Sequence, residues 1–264
     1  MDQHFTIQRW CTWAAPACTA VFFLGFYISD YLLPPDPHAS AQETAAFYAN
    51  NTNSIRAGLV FMCFAGGLWI IWSAQMTSQM LRIEGVSAPL AWTQLAMGAC
   101  ACIEFIMPAY FWLTASYRER SPEMQQMLND LGWLPFDGFV WTIIWQNAVI
   151  GVAALMDKRD KPIFPRWYGY LSIWCSFLYL PAGFNVFFKD GPLAWNGAIS
   201  WWVLLAAIFG WLMCTTYLLL QATKRQEQET IAGTLSGDPM SDMARRIAEL
   251  ERKVAGTEPM TLRT

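Results

Sequence analysis

The sequence predicts an all-α fold, a polytopic bundle of six membrane-spanning helices followed by a short C-terminal cytoplasmic helix. Of the 264 residues, 55% are hydrophobic and only 14% are charged, whereas roughly 25% are charged in an average soluble domain. Six mostly apolar stretches approach or exceed the length of about 20 residues that crosses a hydrocarbon core of about 30 Å. The chain also has 15 Trp, a residue enriched where the membrane meets water.

The predicted transmembrane domain covers residues 1–225, with spans at about 11–33, 57–80, 89–116, 138–156, 167–187 and 198–222. The first stretch is longer and more aromatic than a typical cleaved signal peptide, so we expect a retained span. In the connection after it, Ser40 and Glu43 fit a capping box. Pro122 suits the first turn of a helix in the connection after the third span. We therefore expect a short helix in each of these two external connections.

Basic residues near the spans are divided unequally between the two sides of the membrane. One side has both termini and the 81–88 and 157–166 connections, with Arg9, Arg82, Lys158, Arg159, Lys161, Arg166, Lys224 and Arg225. The other side has Arg56, Arg118, Arg120 and Lys189. Because cytoplasmic connections are richer in Lys and Arg, we predict a multi-pass membrane protein with both termini in the cytoplasm.

The polar tail, residues 226–264, contains a predicted helix over about 239–255. Apolar residues recur there at spacings of three and four, at Met240, Met243, Ile247, Leu250 and Val254. This spacing is typical of a coiled-coil seam, and it predicts a homo-oligomer held by Met243, Ile247, Leu250 and Val254. Two heptads are marginal alone, so the spans would have to associate as well. The alternative is an amphipathic helix lying on the inner leaflet.

One carboxylate lies near the centre of the third predicted span, in the stretch GACACIEFIMPAYFW (98–112). A charge there costs about 2.5–3.5 kcal/mol on insertion scales, so Glu104 is expected to face the bundle interior and to be protonated, hydrogen-bonded or hydrated. Pro108 removes the helical hydrogen bond to the carbonyl of Glu104. A carboxyl group and an unpaired carbonyl are therefore predicted at the same turn.

Several polar residues of the other spans are candidate partners for Glu104. Gln146 and Asn147 lie near the middle of the fourth span, and Gln94 lies almost three turns before Glu104 on the third. The others are Ser73 and Gln75 on the second span, and, towards the outer ends of the first, fourth and fifth spans, Asp30, Asp137 and Asn185. Glu104 and the first five form a predicted intramembrane ligand-binding cluster. The alternative is structural, because a protonated Glu104 that bonded to Gln146 would tie two helices together.

The residue inventory argues against several kinds of chemistry. The only histidines are His4 and His38, both outside the predicted spans, so intramembrane bis-His haem ligation is excluded. The seven cysteines are scattered without metal or disulfide spacing and are predicted to be free thiols. The loop with Asp30, Asp36 and His38 is better explained as solvated than as a metal site. No metal and no cofactor are therefore predicted. No nucleic-acid partner is predicted either, because the sequence has no clustered basic face.

Four segments of the chain carry a resemblance to known proteins. They read PDPHASAQETAAFYANNTNSIRAG (35–58), MLNDLGW (127–133), FPRWYGY (164–170) and FFKDGPLAWNG (187–197). In this combination, over roughly residues 10–225, the chain resembles small bacterial six-span membrane proteins of unknown function. The resemblance implies the topology and, because these proteins are bacterial, the inner (plasma) membrane of a bacterium. It brings no activity and no catalytic residue.

Three classes of function stay open, and the lipid bilayer is a partner in all of them. The first is binding or permeation of a hydrophobic or amphipathic small molecule, because Met and aromatic residues suit adaptable apolar pockets. The second is a non-catalytic accessory or scaffold subunit, favoured by the tail. The third is a membrane enzyme with Glu104 as general acid or base. It has the least support, because a lone carboxylate lacks the nucleophile, metal or second acid that catalysis would need. The sequence thus argues against an enzyme more than for one.

Overall fold

The computed structural model describes residues 3–231, 233, 243, 247–249 and 251, and every regular element among them is helical. The α-helices are α1 (Gln3–Ile28), α2 (Ala41–Met80), α3 (Ala88–Ala101), α4 (Ile103–Tyr117), α5 (Pro122–Gly138), α6 (Trp141–Met156), α7 (Arg166–Tyr179) and α8 (Leu204–Ile231). A 3₁₀ helix, Leu180–Phe187, follows α7, and a π-helical turn, Ala198–Val203, precedes α8.

Six helical segments are long and apolar enough to cross a membrane, namely Gln3–Ile28, Ala41–Met80, Ala88–Tyr117, Pro122–Met156, Arg166–Phe187 and Ala198–Ile231. The predicted all-α bundle with six membrane-spanning helices is therefore confirmed, and the chain is a multi-pass membrane protein. Most of the predicted tail helix lies outside the described residues, including Leu250 and Val254. Met243 and Ile247 are described, and both are helical and exposed.

Helix α2 joins the expected external helix to the second span without a loop. The Ser40 capping box is confirmed: its hydroxyl accepts from the Glu43 N–H at 3.2 Å, and the Ser40 N–H donates to the Glu43 carboxylate at 2.8 Å. The helix has 40 residues, with a kink at Asn51 (φ −116°, ψ 15°). At 1.5 Å per residue it is about 60 Å long, twice the thickness of a hydrocarbon core of about 30 Å.

Three other predicted spans are divided by breaks in the helix. The third is split at Cys102, between α3 and α4. The segment after Pro122 is helical as expected, but α5 runs on to Gly138 before a break at residues 139–140 and the start of α6. In the fifth span, Pro181 lies at the start of the 3₁₀ segment, because proline lacks the N–H of a continuing α-helix.

Two glycine pairs bring helix backbones close together at the most extensively packed helix pairs, α1 with α2 and α6 with α7. A Cβ built on Gly58 would lie 2.2 Å from the Gly25 carbonyl oxygen, and a Cβ on Gly25 would lie 2.6 Å from the Gly58 carbonyl oxygen. The corresponding distances for Gly151 and Gly169 are 2.8 and 3.0 Å. Small residues at a crossing allow the close backbone packing that stabilises helix association in membranes.

Aromatic side chains fill the bundle and also cover its outside. In the interior, Phe22 stacks on Phe26 with ring centroids 4.5 Å apart, and both lie beside Phe136 at 6.1 and 5.3 Å. On the outside, Trp10 is 74% exposed and Trp174 is 62% exposed. A soluble monomer rarely presents a wide apolar surface, so these outer rings are suited to contact with lipid, while the inner ones surround the site described next.

Candidate functional site

Two of the predicted site residues, Ser73 and Gln146, bond to each other where α2, α3 and α6 meet. The Gln146 amide donates to the Ser73 hydroxyl at 3.1 Å. A Cβ on Gly98 would lie 2.3 Å from that hydroxyl oxygen, so the glycine leaves room for the bond. On the same side of α3, Gln94 accepts from the Thr77 hydroxyl at 2.6 Å. These bonds hold α2 against α3 and α6.

Two other predicted residues lie in different helix contacts. Gln75 donates to the Gln8 amide oxygen at 3.1 Å and to the Thr223 hydroxyl at 3.2 Å, joining α2 to α1 and α8. Asn147 donates to the Tyr179 hydroxyl at 2.9 Å, joining α6 to α7. The hydrogen bonds of the predicted cluster therefore fall into several separate helix contacts.

Glu104 lies in the first turn of α4, directly after the break at Cys102. Its carboxylate accepts a hydrogen bond from the Thr142 hydroxyl at the start of α6. The structural interpretation required a bond to Gln146, and that amide donates to α2 instead. The side chain of Glu104 is partly buried, so part of it remains accessible beside the cavity.

A second carboxylate, Asp137, lies in the interior near the end of α5. Asp137 is only 1% exposed, and neither oxygen of its carboxylate has a hydrogen-bond partner within the described part of the chain. The sequence analysis placed Asp137 near an outer end of the fourth span, as a candidate partner of Glu104. Pro135 and Gly138 signal the end of the helix, but no local signal predicts the burial.

A further acceptor, the side-chain oxygen of Asn185, lies against Gly138, the residue that follows Asp137. A Cβ on Gly138 would lie 2.8 Å from the side-chain oxygen of Asn185, so the two residues are in close contact. The Asn185 amide nitrogen donates to the Leu134 carbonyl at 3.1 Å, while its oxygen has no partner among the described residues. Buried polar groups are usually hydrogen-bonded, so an excess of unpaired acceptors marks this region.

Glu104 and Asp137 line one cavity between α1, α2, α4, α5, α6 and α8. Its volume is about 40 Å³, and its nine other lining residues are apolar, five of them aromatic: Phe22, Trp69, Phe105, Phe136 and Phe209. A water molecule needs about 10–15 Å³ of such space, so the cavity has room for about three water-sized groups. It is only partly enclosed, and Leu205 and Ile208 of α8 are partly exposed at its wall.

The site offers carboxylates and aromatic rings, and it does not resemble a metal centre. Within the described residues there is no group of three or more His, Cys, Asp or Glu that could hold a metal ion. In the connection between α1 and α2, His38 lies 2.9 Å from the Asp190 carboxylate, and all seven cysteines are free. The chemistry available at the cavity is therefore hydrogen-bond acceptance, ion pairing and proton exchange at two carboxyl groups.

Similarity to known proteins does not identify the chain. Comparisons with protein-family models, with curated proteins and with solved structures found no match. The resemblance to small bacterial six-span membrane proteins stays a prediction.

Proposed function

We propose that this protein binds a small amphipathic molecule, with the polar head in the cavity between Glu104 and Asp137 and the apolar part in the membrane. The observation that carries the proposal is the buried carboxylate of Asp137, which lies on the wall of an aromatic cavity and has no hydrogen-bond partner among the residues that the structure describes. Ligand sites are typically concave and mostly apolar, with a few polar groups that fix the orientation of the ligand.

The open side of the cavity supports entry from the lipid. Leu205 and Ile208 lie in the segment Ala198–Ile231, which contains the most apolar stretch of the six spans. A molecule dissolved in the bilayer would reach the carboxylates past these side chains without crossing water. Because the cavity holds only about three water-sized groups, the head enters and the rest of the molecule stays at the opening.

Native mass spectrometry of the detergent-released full chain, with small molecules retained, tests this proposal. Ile143 is a buried wall residue of the cavity on α6, whereas Val152 is exposed on the same helix. We expect wild type and Val152→Phe to retain a molecule of reproducible mass, and Ile143→Phe, which fills the cavity, to lose it. Retention by Ile143→Phe at the wild-type level, or no retained molecule in wild type, would contradict the proposal.

We also propose that both termini face the cytoplasm, in the inner membrane of a bacterium. Contacts between the predicted cytoplasmic segments support this: Arg82 pairs with Glu229 at 3.0 Å, and Arg225 donates to the Pro162 carbonyl at 2.7 Å. Arg9 also pairs with Glu227. The basic segments thus meet at one end of the bundle.

Labelling of single cysteines in intact cells, in a background without the native cysteines, tests the orientation. Glu84 and Asn196 are both exposed, and they lie in connections on opposite predicted sides. A membrane-impermeant maleimide should label Asn196→Cys directly and Glu84→Cys only after permeabilisation. The reverse pattern would reverse the topology.

Self-association through the tail is a second proposal, for a scaffold role. Met243 and Ile247 are helical, and they are 58% and 50% exposed. This exposure is expected for positions of a coiled-coil seam that a second copy of the chain would cover. We expect a discrete oligomer of the full chain that becomes a monomer when the chain ends at residue 235, measured by native mass spectrometry. A monomer in both cases would remove the scaffold proposal.

A further inference from the structure

We infer that the head group bound in the cavity is a protonated amine, on a primary alkylamine or a similar lipophilic amine. This inference rests on the proposed function and names the chemical class of the ligand. It is carried by the juxtaposition of Glu104 and Asp137 with five aromatic rings around a cavity that has room for an ammonium group.

The balance of donors and acceptors in the cavity favours a ligand that donates. Asp137 is 1% exposed with two unpartnered oxygens, and Glu104 receives one hydrogen bond, from Thr142. Among the described residues that line the cavity none is Lys or Arg, and the only side-chain donor is the indole N–H of Trp69. An ammonium supplies three N–H donors and no acceptor, so it matches this wall.

Two ionised carboxylates disfavour the other common head groups. An anionic head, such as a carboxylate or a phosphate, would bring a further negative charge against Asp137 and Glu104. An uncompensated buried charge is strongly destabilising. A neutral hydroxyl head has one donor and leaves acceptors unpaired. A cation is the head group whose charge is opposite to that of the carboxylates in this wall.

The aromatic rings provide a second attraction for a cation. Phe22 lies with its ring centroid 5.1 Å from that of Phe209 and 5.8 Å from that of Phe105. Trp69 lies 5.9 Å from Phe105 in the same wall. A cation within about 6 Å of a ring centroid is attracted by the ring, most strongly by Trp. The rings would also pack against the first methylene groups of the amine.

The size of the cavity limits what enters. A volume of about 40 Å³ has room for about three water-sized groups, which fits an ammonium with the first one or two carbon atoms of its chain. The chain would then leave the cavity past Leu205 and Ile208. A ligand with a bulky polar head would not fit without movement of α8.

Titration calorimetry of the detergent-solubilised full chain at pH 7 tests the inference with three ligands that share one tail: hexylammonium, hexanol and hexanoate. Each titration is corrected with protein-free detergent. We expect hexylammonium to bind most tightly, and Asp137→Asn to weaken it by about thirtyfold, since loss of a buried charge partner costs at least this much. Hexanol binding should change little. Asp130→Asn is the matched control, because Asp130 is on the same helix and does not line the cavity.

Glu104→Gln serves as a second variant in case Asp137→Asn does not fold, which the melting of tryptophan fluorescence would reveal. It should also weaken hexylammonium selectively. Equal binding of hexylammonium and hexanol, or a preference for hexanoate, would overturn the amine inference and leave the proposed function standing. Failure of all three ligands to bind would overturn the inference as well, and a molecule retained in native mass spectrometry would still support the proposed function.

Discussion

The crossing of α1 and α2 gives a quantitative test of the packing. In Gly58→Ala the new methyl group would lie 2.2 Å from the Gly25 carbonyl oxygen and 2.1 Å from the Ser29 hydroxyl oxygen. These two oxygens are already joined by a hydrogen bond of 2.8 Å, so neither can move away easily. Overpacking costs typically about 1–3 kcal/mol, and contact with backbone places this case near 3. Replacing a helical glycine by alanine returns about 0.5–1 kcal/mol, which leaves a net loss of about 2 kcal/mol.

Thermal unfolding in detergent, followed by tryptophan fluorescence, measures this loss. At about 2–4 °C per kcal/mol for a chain of this size, Gly58→Ala should lower Tm by about 4–8 °C. Gly67→Ala is the control on the same helix, because Gly67 has nothing within 4 Å of its added Cβ. It should leave Tm unchanged or raise it slightly. Similar shifts in both variants would refute the close backbone approach.

Two further predictions concern the end of the bundle that carries the basic segments. Gln79→Ala removes the hydrogen bonds that the Gln79 amide nitrogen donates to Gln8 at 2.8 Å and to Gln226 at 3.0 Å. An interhelical hydrogen bond in a membrane contributes about 0.6 kcal/mol. The variant should therefore lower the free energy of unfolding, measured by denaturant titration, by about 1–2 kcal/mol. Burial alone would raise the pKa of Asp157, but hydrogen bonds from Arg159 and from backbone N–H groups lower it below its usual value. The stabilisation by this carboxylate is therefore full above the unfolded pKa of about 3.9, and it is lost as the pH falls further. Asp157→Asn should be less stable than wild type at pH 7. The difference in stability should shrink below about pH 4.

Each of these predictions has a control nearby. Gln228 is exposed on α8, two residues beyond the buried amide contact, and Gln228→Ala should not change the unfolding free energy. Asp160 is exposed in the same connection as Asp157, and Asp160→Asn should keep the wild-type dependence of stability on pH. A loss in Gln228→Ala equal to that in Gln79→Ala, or a constant stability difference for Asp157→Asn at all pH values, would contradict the assignments.

Local chemistry explains what was predictable in the fold. Long apolar runs predicted six spans, and the Ser40 capping box predicted the start of a helix, because both signals are contained in neighbouring residues. The continuation of α2 far beyond 20 residues was not predictable in this way. A polar stretch such as 41–56 can form a separate surface helix or the extension of a span, and packing against α1 and α5 decides between them.

The site was predicted in part. The lone carboxylate in an apolar run identified Glu104, but its partner is Thr142 and not Gln146, since the partner depends on how α4 and α6 are aligned. Such alignment is a property of tertiary packing, which hydropathy does not report. A threonine in an apolar span carries no special signal, because its hydroxyl is commonly satisfied within its own helix.

Asp137 changes the interpretation of Glu104. A residue near the end of an apolar run is expected to reach water, and for Asp137 this expectation fails because α5 continues inward to Gly138 before the chain turns into α6. With one carboxylate, a hydrogen bond to Thr142 would be a sufficient structural role for Glu104. A second carboxylate lines the same cavity, and the part of the chain that the structure describes offers it no hydrogen-bond donor. A proton, a water molecule or a ligand can supply the missing donor. The comparison of hexylammonium with hexanol distinguishes a cation site from the other two cases, because only a site that binds the cation prefers the amine.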